Sequence, residues 1–253
     1  MRKSILFVLL GLLVSVTAFM ACGGDDEPSS GVTPQSSKHV AKIITEEGSS
    51  FYESSFTYDS QGRVIKVTET ESGTGTNSHS ETEYQYGEML IISKMKGEGT
   101  YSNGQSFTRT ESHSYTLENG RIVKDEEKQN SSSSTDIFSY DANNYLSSIN
   151  TKMLTWSDGN LIKLGDRSFE YSNYPWVKGL PLYLKGSNMD ANLFAIGYYG
   201  NIPKNLPSKT IASETSGYTY DYTFEGSYVT KAVMTPFVEN YKSYKSISTI
   251  IWE

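Results

Sequence analysis

One pattern constrains this chain more than any other. Two aromatic or aliphatic residues at alternate positions run into a turn of Gly, Asn or Asp and out into aliphatic residues. The pattern recurs at residues 56–67, 115–124, 138–146, 154–164 and 218–229. Alternate residues point to one face of a strand, so Phe56 and Tyr58 share a face, as do Phe138 and Tyr140. Asn119-Gly120 and Asp158-Gly159 are tight-hairpin signals, because such turns need positive φ. A single hairpin is marginal in water, so the copies must pair with one another. The chain is therefore expected to be all-β: an antiparallel meander of hairpins forming a curved sheet or a water-soluble barrel.

Two stretches break the pattern. Residues 130–134 (Asn-Ser-Ser-Ser-Ser) read as a polar loop tip. Residues 187–205 lack strand alternation, and a short helix is expected near 190–196, plugging one end of the sheet. A membrane-spanning barrel needs a continuous apolar outward band. Glu69, Glu71, Glu81, Glu83, Lys94 and Lys96 interrupt any such band, so the outer face should be wet and the inner face aromatic and aliphatic.

The 19 tyrosines agree with a strand-rich chain, since aromatic side chains suit a half-buried pleated surface. The single cysteine, Cys22, excludes an intramolecular disulfide and a cysteine zinc site. It sits at the end of a basic start (Arg2, Lys3), a ten-residue apolar run from Ile5 to Val14, and small residues up to Ala21. That is the layout of a signal peptide, and the apolar run is short for a spanning helix. Phe19-Met20-Ala21-Cys22 resembles the lipobox of bacterial lipoproteins, which implies cleavage before Cys22 and lipid on its sulfur. The expected organisation is a signal peptide over 1–21, a lipidated flexible tether over 22–38, and one β-rich domain over 39–253. The mature chain keeps 20 basic and 29 acidic side chains, a balance that disfavours nucleic acid and anionic lipid as partners. The membrane is then met through the lipid anchor alone.

Two resemblances follow from these residues. Tyr58-Asp59 with Gly62-Arg63 is similar to the YD-type repeats of bacterial surface proteins; Tyr140-Asp141 lacks the Gly-Arg. Gly197-Tyr198-Tyr199-Gly200, the run from Lys204 to Lys209 and the strand from Tyr218 to Phe224 resemble a Bacteroidetes lipoprotein domain family of unknown function described as porin-like. The resemblance implies a curved antiparallel sheet and no assigned activity. Asp25-Asp26-Glu27 resembles the export signal of Bacteroidetes surface lipoproteins. It implies outer-membrane anchoring with the domain facing the exterior; facing the periplasm is the alternative.

No nucleophile elbow, phosphate loop, dinucleotide fingerprint or zinc-protease motif is present, so no enzyme activity, cofactor or metal is assigned. His79 and His113 could meet across a sheet with Glu81 or Glu111, although solvated strand histidines are the plainer reading. Glu69/Glu71 and Glu81/Glu83 are paired along strands, and a glycoside hydrolase is the less favoured reading of them. Tyr174, Trp176, Tyr198 and Tyr199 crowd a stretch rich in Pro and Gly and are the candidates for stacking on a ligand, Trp176 foremost. The function expected is non-catalytic binding of a glycan or another envelope protein. An accessory role in an outer-membrane assembly is the alternative.

Overall fold

The computed structural model describes residues 38–73, 75–181, 188–213, 215–237 and 245–253. The signal segment, Cys22 and the tether as far as Ser37 lie outside the described residues. The first eight strands are β1 (Val40–Glu47), β2 (Ser50–Tyr58), β3 (Val64–Ser72), β4 (Thr76–Tyr86), β5 (Leu90–Tyr101), β6 (Ser106–Glu118), β7 (Arg121–Gln129) and β8 (Ser132–Tyr140). Then come β9 (Leu146–Ile149), β10 (Lys152–Ser157), β11 (Asn160–Leu164), β12 (Arg167–Pro175), helix α1 (Ala191–Ala195), β13 (Asn205–Ser213), β14 (Ser216–Glu225), β15 (Tyr228–Pro236) and β16 (Ser246–Trp252). Every strand pairs antiparallel with its sequence neighbours, and β1 closes on β16, with Ile43 opposite Ile250. The meander expected from the hairpin copies is thus a closed barrel, which leaves no edge strand to template aggregation.

All five copies fold as hairpins, and they share a detail. In each, the outgoing strand carries one extra residue just after its first inward side chain: Ile65, Val123, Ser147, Ile162 and Thr230. The residues before them, Val64, Ile122, Leu146, Leu161 and Val229, are all at most 4% exposed. The bulge lets the first of two adjacent residues turn inward while the ladder resumes one position later. Positive φ at Gly62, Gly120, Asn144 and Gly159 makes the turns. Asp59 and Asp141 brace two of them, each accepting backbone N–H bonds from residues two and four positions on.

A bulge interrupts the ladder, and an aromatic donor serves the carbonyl beside it. Tyr58, Tyr86, Tyr140, Trp156, Tyr171, Tyr222 and Trp252 donate to the carbonyls of Val40, Val64, Ile122, Leu146, Leu161, Pro207 and Val229, at 2.6–2.8 Å. Each carbonyl immediately precedes an extra residue, since Ala41 and Ser208 are extra in β1 and β13. Strand β5 has no register shift against β4 or β6 and no such donor among the bonds of the described residues. Burial of the phenols pushes their pKa up, Tyr58 to about 12. The arginine after the turn lies over the tyrosine of the next hairpin: Arg63 over Tyr86 at 4.4 Å and Arg121 over Tyr140 at 4.6 Å. In these two copies the aromatic, turn and arginine are therefore one interlocking joint.

These joints ring one end of the barrel, the repeat end. From that end the long β12–β13 connection enters the lumen. Its Leu180, Met189, Leu193, Phe194 and Tyr199 are buried, and Tyr199 packs on Phe138 of β8 with ring centres 5.1 Å apart. Gly200 passes so close to the wall that a Cβ there would meet the Asn144 carbonyl at 2.5 Å. Asp190 caps α1, accepting the N–H groups of Asn192 and Leu193 at 2.8 and 3.1 Å. Its other oxygen accepts the Tyr84 hydroxyl of β4 at 2.8 Å, which ties the helix to the wall. The helix lies within the expected 190–196 window and inside the barrel.

Three expectations need correction. Ser132, Ser133 and Ser134 belong to β8, paired with β7, so the serine-rich stretch is a tight turn at Asn130 (φ 51°) and not a loop. The inner face is aromatic and aliphatic only towards the repeat end. The outer face carries charged side chains, with Lys42–Glu53, Lys66–Glu81 and Lys124–Glu126 ion pairs on its strands, but Glu69, expected there, lines the lumen beside Ser54 and Phe56.

Candidate functional site

Away from the repeat end the lumen turns polar. The wall is tallest at β4, β5 and β6, of 11, 12 and 13 residues, and lowest at β9, β10 and β11, of 4, 6 and 5. Inward positions of β6 are Arg109, Glu111, His113 and Tyr115; those of β7 are Asp125, Glu127 and Gln129. With Ser134 and Asp136 of β8 and Asn188 and Asp190 from the lumen segment, all of these except Gln129 line a cavity of about 470 Å³. This is the cup.

Its centre is His113. Nδ1 lies 2.9 Å from Asp125 and Nε2 lies 2.9 Å from Glu111 Oε1. The ring stacks on Tyr115 with 3° between planes. Glu127 faces His113 directly across the strand pair. Burial favours the neutral imidazole, but the hydrogen bonds and charges of Asp125 and Glu111 outweigh it, so the His113 pKa is pushed up to about 9. Burial likewise works to raise Glu111, yet hydrogen bonds from His113, Gln129 and Arg109 hold it below the usual carboxylate range. Asp136 accepts from Asn188 at 2.9 Å and from Asn150, joining lumen segment and wall at the cup floor.

On the opposite side of α1 a second cavity of about 420 Å³ opens. Ile43, Phe56, Val67 and Ile250 give it an apolar wall, and Thr45, Ser54, Tyr220 and Ser248 give it hydroxyls. A barrel of sixteen strands is too wide for a five-residue helix to fill.

The four aromatic candidates separate. Tyr174 is 49% exposed, its ring 4.7 Å from Phe224. Tyr198 is partly buried and stacks on Tyr86. Trp176 and Tyr199, at 9% and 1% exposed, are core residues of the lumen segment, and neither offers a ring face to solvent. Trp176 packs edge-on to Phe194, and Tyr199 donates no face because its ring is enclosed by Phe138 and Phe194. The stretch reads as loop because Pro and Gly punctuate it, but Tyr174 belongs to β12, and Trp176, Leu180, Met189, Leu193, Phe194 and Tyr199 are buried with the core. His79 and His113 do not meet: His79 is exposed and pairs with Thr70 and Glu98, whereas His113 faces the cup. Arg109, Asp125, Glu127, Asp136, Asn188 and Asp190 are the site residues that the sequence did not single out.

The geometry can be set beside known proteins. A porin-like protein from Bacteroides uniformis is 17% identical, with a TM-score of 0.61 over 85% of this chain and 96% of that one. A porin-like protein from Bacteroides vulgatus is 12% identical, with a TM-score of 0.33 over 85% of this chain and 99% of that one. The first likeness is one of fold alone. No curated protein matches the chain. The model of a domain of unknown function with porin-like fold, DUF4595, matches residues 56–231, well over half of the sequence. The chain belongs to the DUF4595 family, a domain of unknown function with a porin-like fold.

Proposed function

We propose that this is a lipid-anchored envelope protein that holds a small polar ligand of the glycan class in its cup and performs no chemistry on it. The observation that carries the reading is the lumen itself, filled with apolar side chains towards the repeat end and lined with hydrogen-bonding groups beyond it. Such a barrel is a vessel and not a passage. Concave sites with a few convergent polar groups are where small ligands bind. Arg109, Asp136 and Asn188 offer donors and acceptors suited to sugar hydroxyls, and a cavity of about 470 Å³ suits one or two rings.

The address follows from Cys22 and the acidic residues after it, and the outer face supports it. A charge at the bilayer midplane of a barrel costs about 2–4 kcal/mol for Lys or Arg. The ion-paired exterior suits water, with lipid met only at the anchor. Binding of a panel of envelope and host-type oligosaccharides to the mature chain, by titration calorimetry, tests the reading. At least one should bind, and Asp136→Ala and Arg109→Ala should each weaken it about 10-fold, as one lost charged hydrogen bond would. Binding untouched by both substitutions, or no binding to any sugar, overturns it.

A further inference from the structure

The cup wall holds a group of ligands that the glycan reading does not use. Glu111, His113 and Glu127 each present one ligand atom, and the three atoms lie within 4.8 Å of one another. Antiparallel register makes this compact: His113 stands opposite Glu127, and Glu111 is two residues along on the same face. We propose that these three side chains form a binding site for a divalent transition-metal ion of the zinc type, with one coordination position open to the cup.

Three features beyond proximity argue for it. The first is how the imidazole is held. Asp125, 4% exposed, takes Nδ1 between its two oxygens at 2.9 and 3.0 Å, which fixes the ring and aims Nε2 at Glu111 and Glu127. A buried carboxylate behind a histidine is the arrangement that orients and strengthens an imidazole ligand. The second is how Glu111 is held. Its Oε2 accepts from Gln129 at 2.8 Å and from Arg109, which leaves Oε1 as the ligand oxygen, 2.9 Å from Nε2. The third is charge: three carboxylates, Glu111, Asp125 and Glu127, surround His113 beside the guanidinium of Arg109, and a dication that displaces the imidazole proton offsets the excess of negative charge.

Zinc bonds of about 2.0–2.2 Å place tetrahedral ligand atoms about 3.3 Å apart, so the Glu127 carboxylate, already facing the cup opposite His113, needs only to draw closer to the other two. One nitrogen and two carboxylate oxygens suit zinc, where calcium would want six or more oxygens. The cavity in front of the group leaves room for a fourth ligand, water or a ligand hydroxyl. The site stands apart from the glycan reading, because the ion is held by protein atoms alone.

The test is titration of the metal-stripped mature chain with Zn²⁺ alone, followed by Co²⁺ as a spectroscopic probe. One saturable ion per chain is expected, with the visible absorption of four-coordinate Co²⁺. Glu127→Gln, which leaves the His113–Asp125 pair intact, should weaken Zn²⁺ at least 10-fold. Asp125→Asn should weaken it about 10–100-fold, as the loss of an orienting carboxylate does. His79→Gln, on the outer face, should change nothing. Far-UV circular dichroism of each variant establishes that it is folded. No saturable Zn²⁺ binding, equal affinity in Glu127→Gln, or loss of the ion in His79→Gln overturns the proposal. None of these outcomes depends on whether a sugar binds.

Discussion

The bond between the lumen segment and the wall can be broken at one atom group. Asp190→Ala removes the oxygen that caps Asn192 and Leu193 and the oxygen that accepts the Tyr84 hydroxyl. Loss of an N-cap costs about 0.5–2 kcal/mol. The Tyr84 side chain is 6% exposed, so its hydroxyl cannot turn to bulk water. A buried donor left unpaired costs about 1–3 kcal/mol, and Asn192 Nδ2, which donates to that hydroxyl at 3.1 Å, cannot accept its proton. Together about 2–4 kcal/mol of stability should go, read from the urea midpoint by circular dichroism. Asp190→Asn keeps an acceptor for the cap and should cost about half as much. Tyr84→Phe removes the same bond from the other side, so the double variant should show a coupling of about 1 kcal/mol or more. A loss below about 0.5 kcal/mol for Asp190→Ala, or strict additivity with Tyr84→Phe, would refute the idea that this carboxylate ties the helix to the barrel.

Other outcomes follow from the same structure. Tyr140→Phe, which strips the donor from the Ile122 carbonyl, should cost about 1 kcal/mol in the same urea assay, whereas Tyr174→Phe at a half-exposed ring should cost under about 0.5. In metal-free buffer the His113 ring should titrate near 9 by NMR. Its folded pKa lies above the unfolded value of about 6.5, so its stabilisation is whole below pH 6.5 and fades as pH rises through 9. Denaturation midpoints of wild type and His113→Gln should therefore converge by about pH 10; a gap that widens with pH contradicts the sign. Cys22→Ala should abolish labelling by a fatty-acid analogue and move the protein from the membrane to the soluble fraction. Retention in the membrane would count against the anchor.

The sequence showed the hairpins well because each copy carries its own turn chemistry: Asn119-Gly120, Asp158-Gly159, Gly62. It also showed that Asn188 to Lys204 were not strand, although Asn205, the last residue of the stretch it set apart, opens β13. It did not show closure, since nothing in β1 or β16 marks these strands, at opposite ends of the domain, as partners. Nor did it show which aromatic faces were wet. Trp176 and Tyr199 look like loop residues until the loop is found inside the barrel. A clue was present in Asp190 followed by Leu193-Phe194-Ala195, a capped turn too apolar for a surface. The cup residues were hidden by register. Counting back from the Asn119-Gly120 turn puts His113 opposite Glu126, a residue on the outer face. The extra residue Val123 shifts the pairing by one, and Glu127 takes its place. A bulge of one residue thus decides which carboxylate joins the site, and turn motifs alone do not reveal it.

Everything proposed for the cup rests on chain occupying the lumen. Hydrogen exchange reads this directly. A five-residue helix free in water would exchange at nearly the rate of an unstructured peptide. Inside the barrel, the amides of Leu193, Phe194 and Tyr198 bond to Asp190 and Leu193 and are shut away from water. The account predicts protection of these amides comparable to that of β4 and β6. Their exchange at free-peptide rates, with the strands still protected, would show an open lumen and contradict it.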